Sequence, residues 1–309
     1  MVKHKKTFKK SKKSLKSYDK KIKKSFNKNH CSPNKSKNTL SCIDHDILLK
    51  IAHIFNKFYN SNIDLNDKKK LYKHISKIIS NMSNCKSECC WTSLNEIIKH
   101  LTPDELNRFK NSFKPQMPKS WSKNNNTWLS TSDIETVLKQ YEEHHKDFKC
   151  YGAMPMDFKL RNGNSCVSGD LCNINLKQHM DNGHNKIGSV FNLDDHDEPG
   201  SHWVSMYMEL KPCCREKPSI YYFDSIADKP TKEIRELVDY LSEQYKSLTG
   251  GEMEFLYNDI QHQKRNTECG IYSIHFITSM LENENFEDYI KNIKNDDYMN
   301  KYRDFYYIR

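Results

Sequence analysis

Apolar residues recur with a helical period through the first third of the chain. From Asp46 to Tyr59 they place Ile47, Leu48, Ile51, Ile54, Phe55 and Phe58 on one stripe, the pattern of a helix that buries one face. Leu71, Ile75, Ile78, Ile79 and Met82 predict a second helix over 67–82. Thr102-Pro103-Asp104-Glu105 is a start signal, with a Thr cap, Pro at the first helical position and Glu placed for a capping box. The helix that follows carries Leu106, Phe109 and Phe113. Pro115 and Pro118 then interrupt the pattern, and 114–126 reads as a linker.

Past Trp128 the pattern is mixed. Ser130 or Ser132 can cap a helix bearing Ile134, Val137, Leu138 and Tyr141. Residues 150–185 read as loops. An apolar run over 187–193 has strand length, and Val204, Met206, Met208 and Leu210 alternate through a second strand over 202–210. Residues 219–224 form a third. The Pro-flanked, charged segment 211–218 is a turn, so 202–224 reads as a hairpin. An amphipathic helix over 231–248 presents Ile234, Leu237, Val238, Leu241, Tyr245 and Leu248 on one face and stops at Gly250-Gly251. Met253, Phe255 and Tyr257 alternate in a further strand, and 269–281 is apolar enough for a buried helix. Helices and strands in this order make an α+β fold.

Charge redraws this picture at one end. The whole chain carries +10, yet residues 1–40 hold 15 Lys against the single acid Asp19, which is +14 and leaves −4 for the rest. So polar a segment cannot bury enough apolar area to offset its ordering entropy. We read 1–40 as a disordered tail, 41–115 as a helical region and 116–309 as the main folded domain. Two readings of the tail stand side by side. One is an arm for nucleic acid or an anionic surface, since clustered Lys displaces counterions from phosphates. The other is a solubilising or targeting tail without a defined partner.

No apolar run approaches a membrane span of about 20 residues, and no apolar segment of a secretory leader follows the first Lys residues. The 11 Cys are odd in number and include no CxxC pair, which fits thiols in a reducing compartment rather than a disulfide scaffold or an ordinary zinc site. Cys85, Cys89 and Cys90 could hold a metal with a remote His, or could be packed, redox-idle thiols. No metal or cofactor is expected.

The polar residues at element ends carry the chemistry. His202 opens one strand of the hairpin and Asp224 closes its partner, so the two should meet. Cys269 opens a helix, and Gln263 lies six residues before it. A helix N-terminus and a neighbouring imidazolium both stabilise a thiolate. A carboxylate on the far side of the imidazole fixes its tautomer and supports its charge. A side-chain amide with a backbone N–H can hold an oxyanion, and Gly270 lets backbone approach closely.

At these residues the chain resembles the ubiquitin-like-protein-specific cysteine proteases, the SUMO-protease and adenain-like family. Their catalytic order is His, Asp or Asn, Gln, Cys. His202-Trp203, Asp224-Ser225, Gln263 and Cys269-Gly270-Ile271-Tyr272 carry the match. Trp128-Leu129-Ser130 resembles the family's Trp-Leu segment beside the substrate tail. Over 191–194, 199–204 and 262–270 the likeness is greatest to the thiol proteases of giant DNA viruses, of the mimivirus type and the asfarvirus polyprotein protease. Glu268 stands where the cellular enzymes commonly have Asp, and the 211–218 turn is longer than theirs, departures that speak against SUMO itself as substrate.

The resemblance implies a papain-like cysteine protease core with an N-terminal helical region and a protein substrate. It implies His202, Asp224, Gln263 and Cys269 as catalytic residues, with Trp128, Trp203 and Gly270 at the substrate. Flanking Trp rings imply cleavage near Gly-Gly. In the viral branch that means core or capsid polyproteins cut at Gly-Gly-Xaa during virion maturation, in the virion or host cytoplasm. Two rival readings remain open. One is a protease that deconjugates host SUMO or other ubiquitin-like proteins. The other is a nucleic-acid-binding structural protein of the virion whose protease fold is inert.

Overall fold

The computed structural model describes residues 30–35, 40–85, 87–211 and 217–309. The chain divides into two compact units. One runs to Gln116 and takes in Ile308, and the other covers Met117–Tyr307 with Arg309. Among the described residues no helix is long and apolar enough to cross a membrane.

The first unit is helical: α1 His45–Tyr59, α2 Lys68–Met82, the single turns α3 Glu88–Trp91 and α4 Asn95–Ile98, and α5 Pro103–Lys110. Its core joins Ile47, Ile51, Phe55, Leu71, Ile75 and Phe109, which are the predicted stripes. The edges of the stripes differ. Phe58 is 51% exposed and Met82 48%, and Phe58 stacks on His100 at 4.2 Å instead of entering the core. Thr102 and Glu105 form the expected capping box of α5.

Part of the region read as a disordered tail is folded into this unit. Cys31 and Ser32 are buried, Ser32 N–H donates to the Ser112 carbonyl at 3.0 Å, and Cys31 is disulfide-bonded to Cys42. Residues 1–29 and 36–39, which hold most of the predicted tail, lie outside the described residues.

The expectation of thiols throughout is also corrected. Cys85 is paired with Cys90, and Cys166 with Cys172. The cluster 85/89/90 is therefore a disulfide beside one buried thiol, Cys89, whose sulfur lies 3.9 Å from His30 Nδ1. Pairing became available because turns bring these short separations within bonding reach, a proximity that Cys spacing alone does not encode. Among the described residues no group of three or more His, Cys, Asp or Glu is placed to hold a metal ion.

The second unit is built on a five-stranded sheet. Its elements are α6 Thr131–His144, β1 Phe148–Met154, the small ribbon β2 Arg161–Asn162 and β3 Ser165–Cys166, α7 Leu176–Asp181, β4 Lys186–Asn192, β5 Trp203–Glu209, β6 Ser219–Phe223, α8 Lys232–Thr249, β7 Glu254–Tyr257, α9 Cys269–Leu281, α10 Phe286–Lys291 and α11 Asp296–Tyr306. The strand order is β1-β4-β5-β6-β7. The outer pairs are parallel and the two inner pairs antiparallel.

Both faces of the sheet are covered. Val204, Met206, Met208, Ile220 and Tyr222 pack with Ile234, Leu237 and Leu241 of α8. On the other face Phe223 stacks on Phe276 of α9 at 5.1 Å. β5 is consequently buried at six of its seven positions rather than alternately, as expected of a strand with a layer on each side. α9 is buried along its whole length. The segment read as loops holds edge strand β1, whose pairing with β4 slips between Cys150 and Ala153. Its Tyr, Gly and Cys lack the alternation that announces a strand.

Ser130 caps α6, accepting from Asp133 N–H while the Asp133 carboxylate accepts from Ser130 N–H. The box sets where the chain leaves Leu129 and enters the helix. Ser130→Ala should lower the unfolding free energy by about 1 kcal/mol, read as a lower urea midpoint with unchanged slope.

Candidate active site

The His–Asp pair follows from the hairpin register. β5 and β6 pair Ser205 with Phe223, so the residues just beyond, His202 and Asp224, fall at the same end of the ladder. His202 Nε2 lies 2.7 Å from Asp224 Oδ1. Asp224 is fully buried. Oδ1 also accepts from Ile226 N–H at 2.9 Å, while Oδ2 has no hydrogen-bond partner among the described residues. A cation beside so sparsely bonded a carboxylate offsets the cost of burying it.

His202 is that cation. Burial disfavours its charge, but hydrogen bonds to Asp224 and Cys269, and their negative charges, outweigh burial and raise the imidazole to about 10. With Nε2 committed to Asp224, Nδ1 is the nitrogen left for the Cys269 thiol. Cys269 is the first residue of α9, is buried, and is not disulfide-bonded.

The loop before His202 is shaped by Asn192. Its Oδ1 accepts from the N–H groups of Asp194 and Ser201, both at 3.1 Å. Gly200 takes φ +89°, and a Cβ there would come 2.7 Å from the Asn192 amide nitrogen. Gln263 is equally fixed. Its Oε1 accepts from Ser225 Oγ at 2.7 Å, and its Nε2 donates to the Arg265 carbonyl. An amide nitrogen has two hydrogens, so one N–H remains for a ligand. Residues 263–268 are tied down by α11. Asp296 accepts from the N–H groups of Lys264 and Arg265, each with an oxygen at 3.1 Å.

The expected substrate residues separate in role. Trp128 is 42% exposed and Trp203 6%. Both line a cleft of about 610 Å³ with Leu129, Glu135, Pro199 and Gly200. Trp203 is wall, its indole N–H held by the Leu129 carbonyl at 3.0 Å. Packing by itself requires a glycine at position 270. A Cβ there would meet Leu129 Cβ at 2.9 Å and Trp203 Cδ1 at 3.4 Å.

Asn258 escapes a reading of the sequence, where it looks like a turn former after a strand. Its side chain accepts from Asp224 N–H at 2.9 Å and donates to the Asp224 carbonyl at 2.6 Å. Asp296 and Arg303 left a fainter signal, as charged residues on the buried face of the amphipathic helix α11.

A family model described as "Ulp1 protease family, C-terminal catalytic domain" matches residues 190–308. A thiol protease of Acanthamoeba polyphaga mimivirus is 30% identical over 303 residues, spanning 90% of this chain and 93% of that protein. A cysteine protease of African swine fever virus is 25% identical over 250 residues, 76% of this chain and 88% of its own. The crystal structure of the African swine fever virus protease superposes with a TM-score of 0.61 at 19% identity, covering 90% of this chain and 95% of that one. The fold is thus the mixed α/β fold of these proteases.

Two predictions rest on this geometry. His202 is raised on folding, so its contribution to stability is complete below its unfolded value of about 6.5 and is lost as pH rises through about 10. Unfolding free energy should fall across that window, and His202→Gln should flatten the fall; an unchanged slope in the variant would refute the assignment. Asn258→Ala, which orphans two buried groups of Asp224, should cost about 1–3 kcal/mol and lower kcat more than it changes KM.

Proposed function

This chain belongs to the Ulp1 protease family and is a cysteine-type peptidase, and on that premise we propose that it is an endopeptidase working through Cys269, His202, Asp224 and Gln263. The observation that carries this reading is His202. A buried imidazole, 2.7 Å from a fully buried carboxylate and raised to about 10 by Asp224 and Cys269 against the cost of burial, gives the Cys269 sulfur a proton partner.

The Cys269 sulfur attacks the scissile carbonyl carbon, and the carbonyl π pair moves onto oxygen. Gln263 Nε2 and the Cys269 N–H take that oxyanion. As the intermediate collapses, the amine leaves with the proton from His202, and an acyl-enzyme remains. Water then attacks, giving its proton to His202 and releasing the acid and the thiolate. Asp224 keeps the ring oriented and its charge supported throughout.

The cleft and the viral relatives support a reading of the substrate class. The rigid Trp203 wall and the exposed Trp128 ring suit a chain with little side-chain bulk next to the scissile bond. We assign cleavage after Gly-Gly in a core or capsid polyprotein during virion maturation, in the virion or host cytoplasm. A second reading takes support from African swine fever virus relatives described as SUMO-1 cysteine proteases, and makes the substrate a host ubiquitin-like conjugate. The reading of an inert structural protein falls with membership of a peptidase family. Any nucleic-acid contact of the basic tail remains a property of residues mostly outside those described.

Wild-type protein should cleave Gly-Gly-Xaa peptides, and Cys269→Ala should lower kcat/KM by about 10⁴-fold or more, measured on a peptide library. Activity in Cys269→Ala equal to wild type would refute the nucleophile. Covalent capture of a SUMO or ubiquitin C-terminal electrophile, without cleavage of Gly-Gly-Xaa peptides, would favour the second reading.

A further inference from the structure

Glu268 is the N-cap residue of α9, immediately before Cys269, yet its side chain accepts no hydrogen bond from the first turn. A carboxylate at that position is drawn toward the exposed N–H groups and positive end of the helix. Here it is turned away and fully engaged elsewhere. Oε2 accepts from Arg303, with Nε at 3.1 Å and Nη2 at 3.0 Å. Oε1 accepts from Asn300 Nδ2 at 3.0 Å and Thr267 Oγ1 at 3.2 Å.

The residues that hold it are themselves held. Arg303 is fully buried, lies over the Trp121 ring at 4.5 Å, and donates to the Thr267 carbonyl at 3.2 Å. Asn300 Nδ2 shares its two hydrogens among Glu268, the Asn125 carbonyl at 3.1 Å and Asn126 Oδ1 at 2.9 Å, and its Oδ1 accepts from the Asn125 amide at 2.7 Å. Apart from Thr267, these contacts come from α11 and from residues 121–126, none of which is assigned a part in the reaction.

We propose that Arg303 and Asn300 are positioning residues that keep the Glu268 carboxylate off the N-terminus of α9, leaving that end of the helix open to the substrate oxyanion. The inference rests on reading Cys269 as the nucleophile. The pairing acts in two ways. It keeps a carboxylate from folding back onto the second and third N–H groups of the helix, beside the Cys269 N–H that the oxyanion needs. It also neutralises a negative charge one residue from the place where negative charge develops, and in a buried setting like charges so close repel strongly.

The test measures peptide cleavage and ligand affinity with the full chain. Arg303→Met should lower kcat by about tenfold to a hundredfold with little change in KM. Affinity for a peptide aldehyde, whose adduct with the thiol mimics the tetrahedral intermediate, should fall in parallel. Affinity for a product peptide ending in Gly-Gly should hold. The double variant Glu268→Gln/Arg303→Met, with no carboxylate to swing inward, should recover most of the lost kcat. If Arg303→Met does not fold, Arg303→Lys, which keeps a cation with a single nitrogen, carries the same comparison.

Wild-type kcat in the folded single variant, or a double variant no better than the single, would overturn the proposal. A role in bracing alone predicts that outcome, with KM and product affinity drifting alongside thermal stability. Cys269→Ala is measured in parallel. Cleavage by that variant would sink the nucleophile reading itself, whereas inactive Cys269→Ala beside unaffected Arg303 variants would sink only this inference.

Discussion

The hydrogen bond between His202 and Asp224 is the constraint on which the second unit depends. A carboxylate with no exposure, one oxygen shared and the other without a partner among the described residues, is stabilised by a cation in contact. His202 meets that need by holding its proton. The same proton makes the ring the partner of the Cys269 thiol. A demand of stability and a demand of chemistry are met by one ionised imidazole.

That bond in turn depends on register. A slip of one residue between β5 and β6 would turn every side chain of the strand to the opposite face. Both faces are packed, by α8 on one side and α9 on the other, so slippage is strongly opposed. Asn258 then locks the Asp224 backbone from the end of β7. The sheet thus serves as a rigid mount for the His–Asp pair, and α9, crossing its far face, presents Cys269 to that pair.

The proposed oxyanion side of the site is assembled differently. Gln263 and the 264–268 loop have no regular structure of their own. They take their shape from Ser225, from Asp296 and from the Arg303–Glu268 pair. The last helix, α11, is therefore a scaffold for the loop before Cys269, and it contributes buried charges where its amphipathic pattern alone would predict apolar residues.

Much of this was legible in the chain itself. Helical periods locate α1, α2 and α8, and continuous apolar content locates α9; Thr102 and the Ser130/Ser132 pair mark helix starts, and the hairpin ends bring His202 and Asp224 together from the sequence alone. These features are local: burial of one face recurs at a fixed period, and a cap lies within three residues of the groups it satisfies. Tertiary structure alone decided the rest. It made β1 a strand, buried both faces of β5, folded residues 30–35 into the first unit, paired three sets of cysteines, and set Asn258, Asp296 and Arg303 against Asp224, Lys264 and Glu268. Each of those last contacts joins residues more than 30 positions apart. A buried polar group must find a partner, but nothing in its neighbours along the chain says which one, and only the packed sheet and helices bring the answer within 3 Å or so.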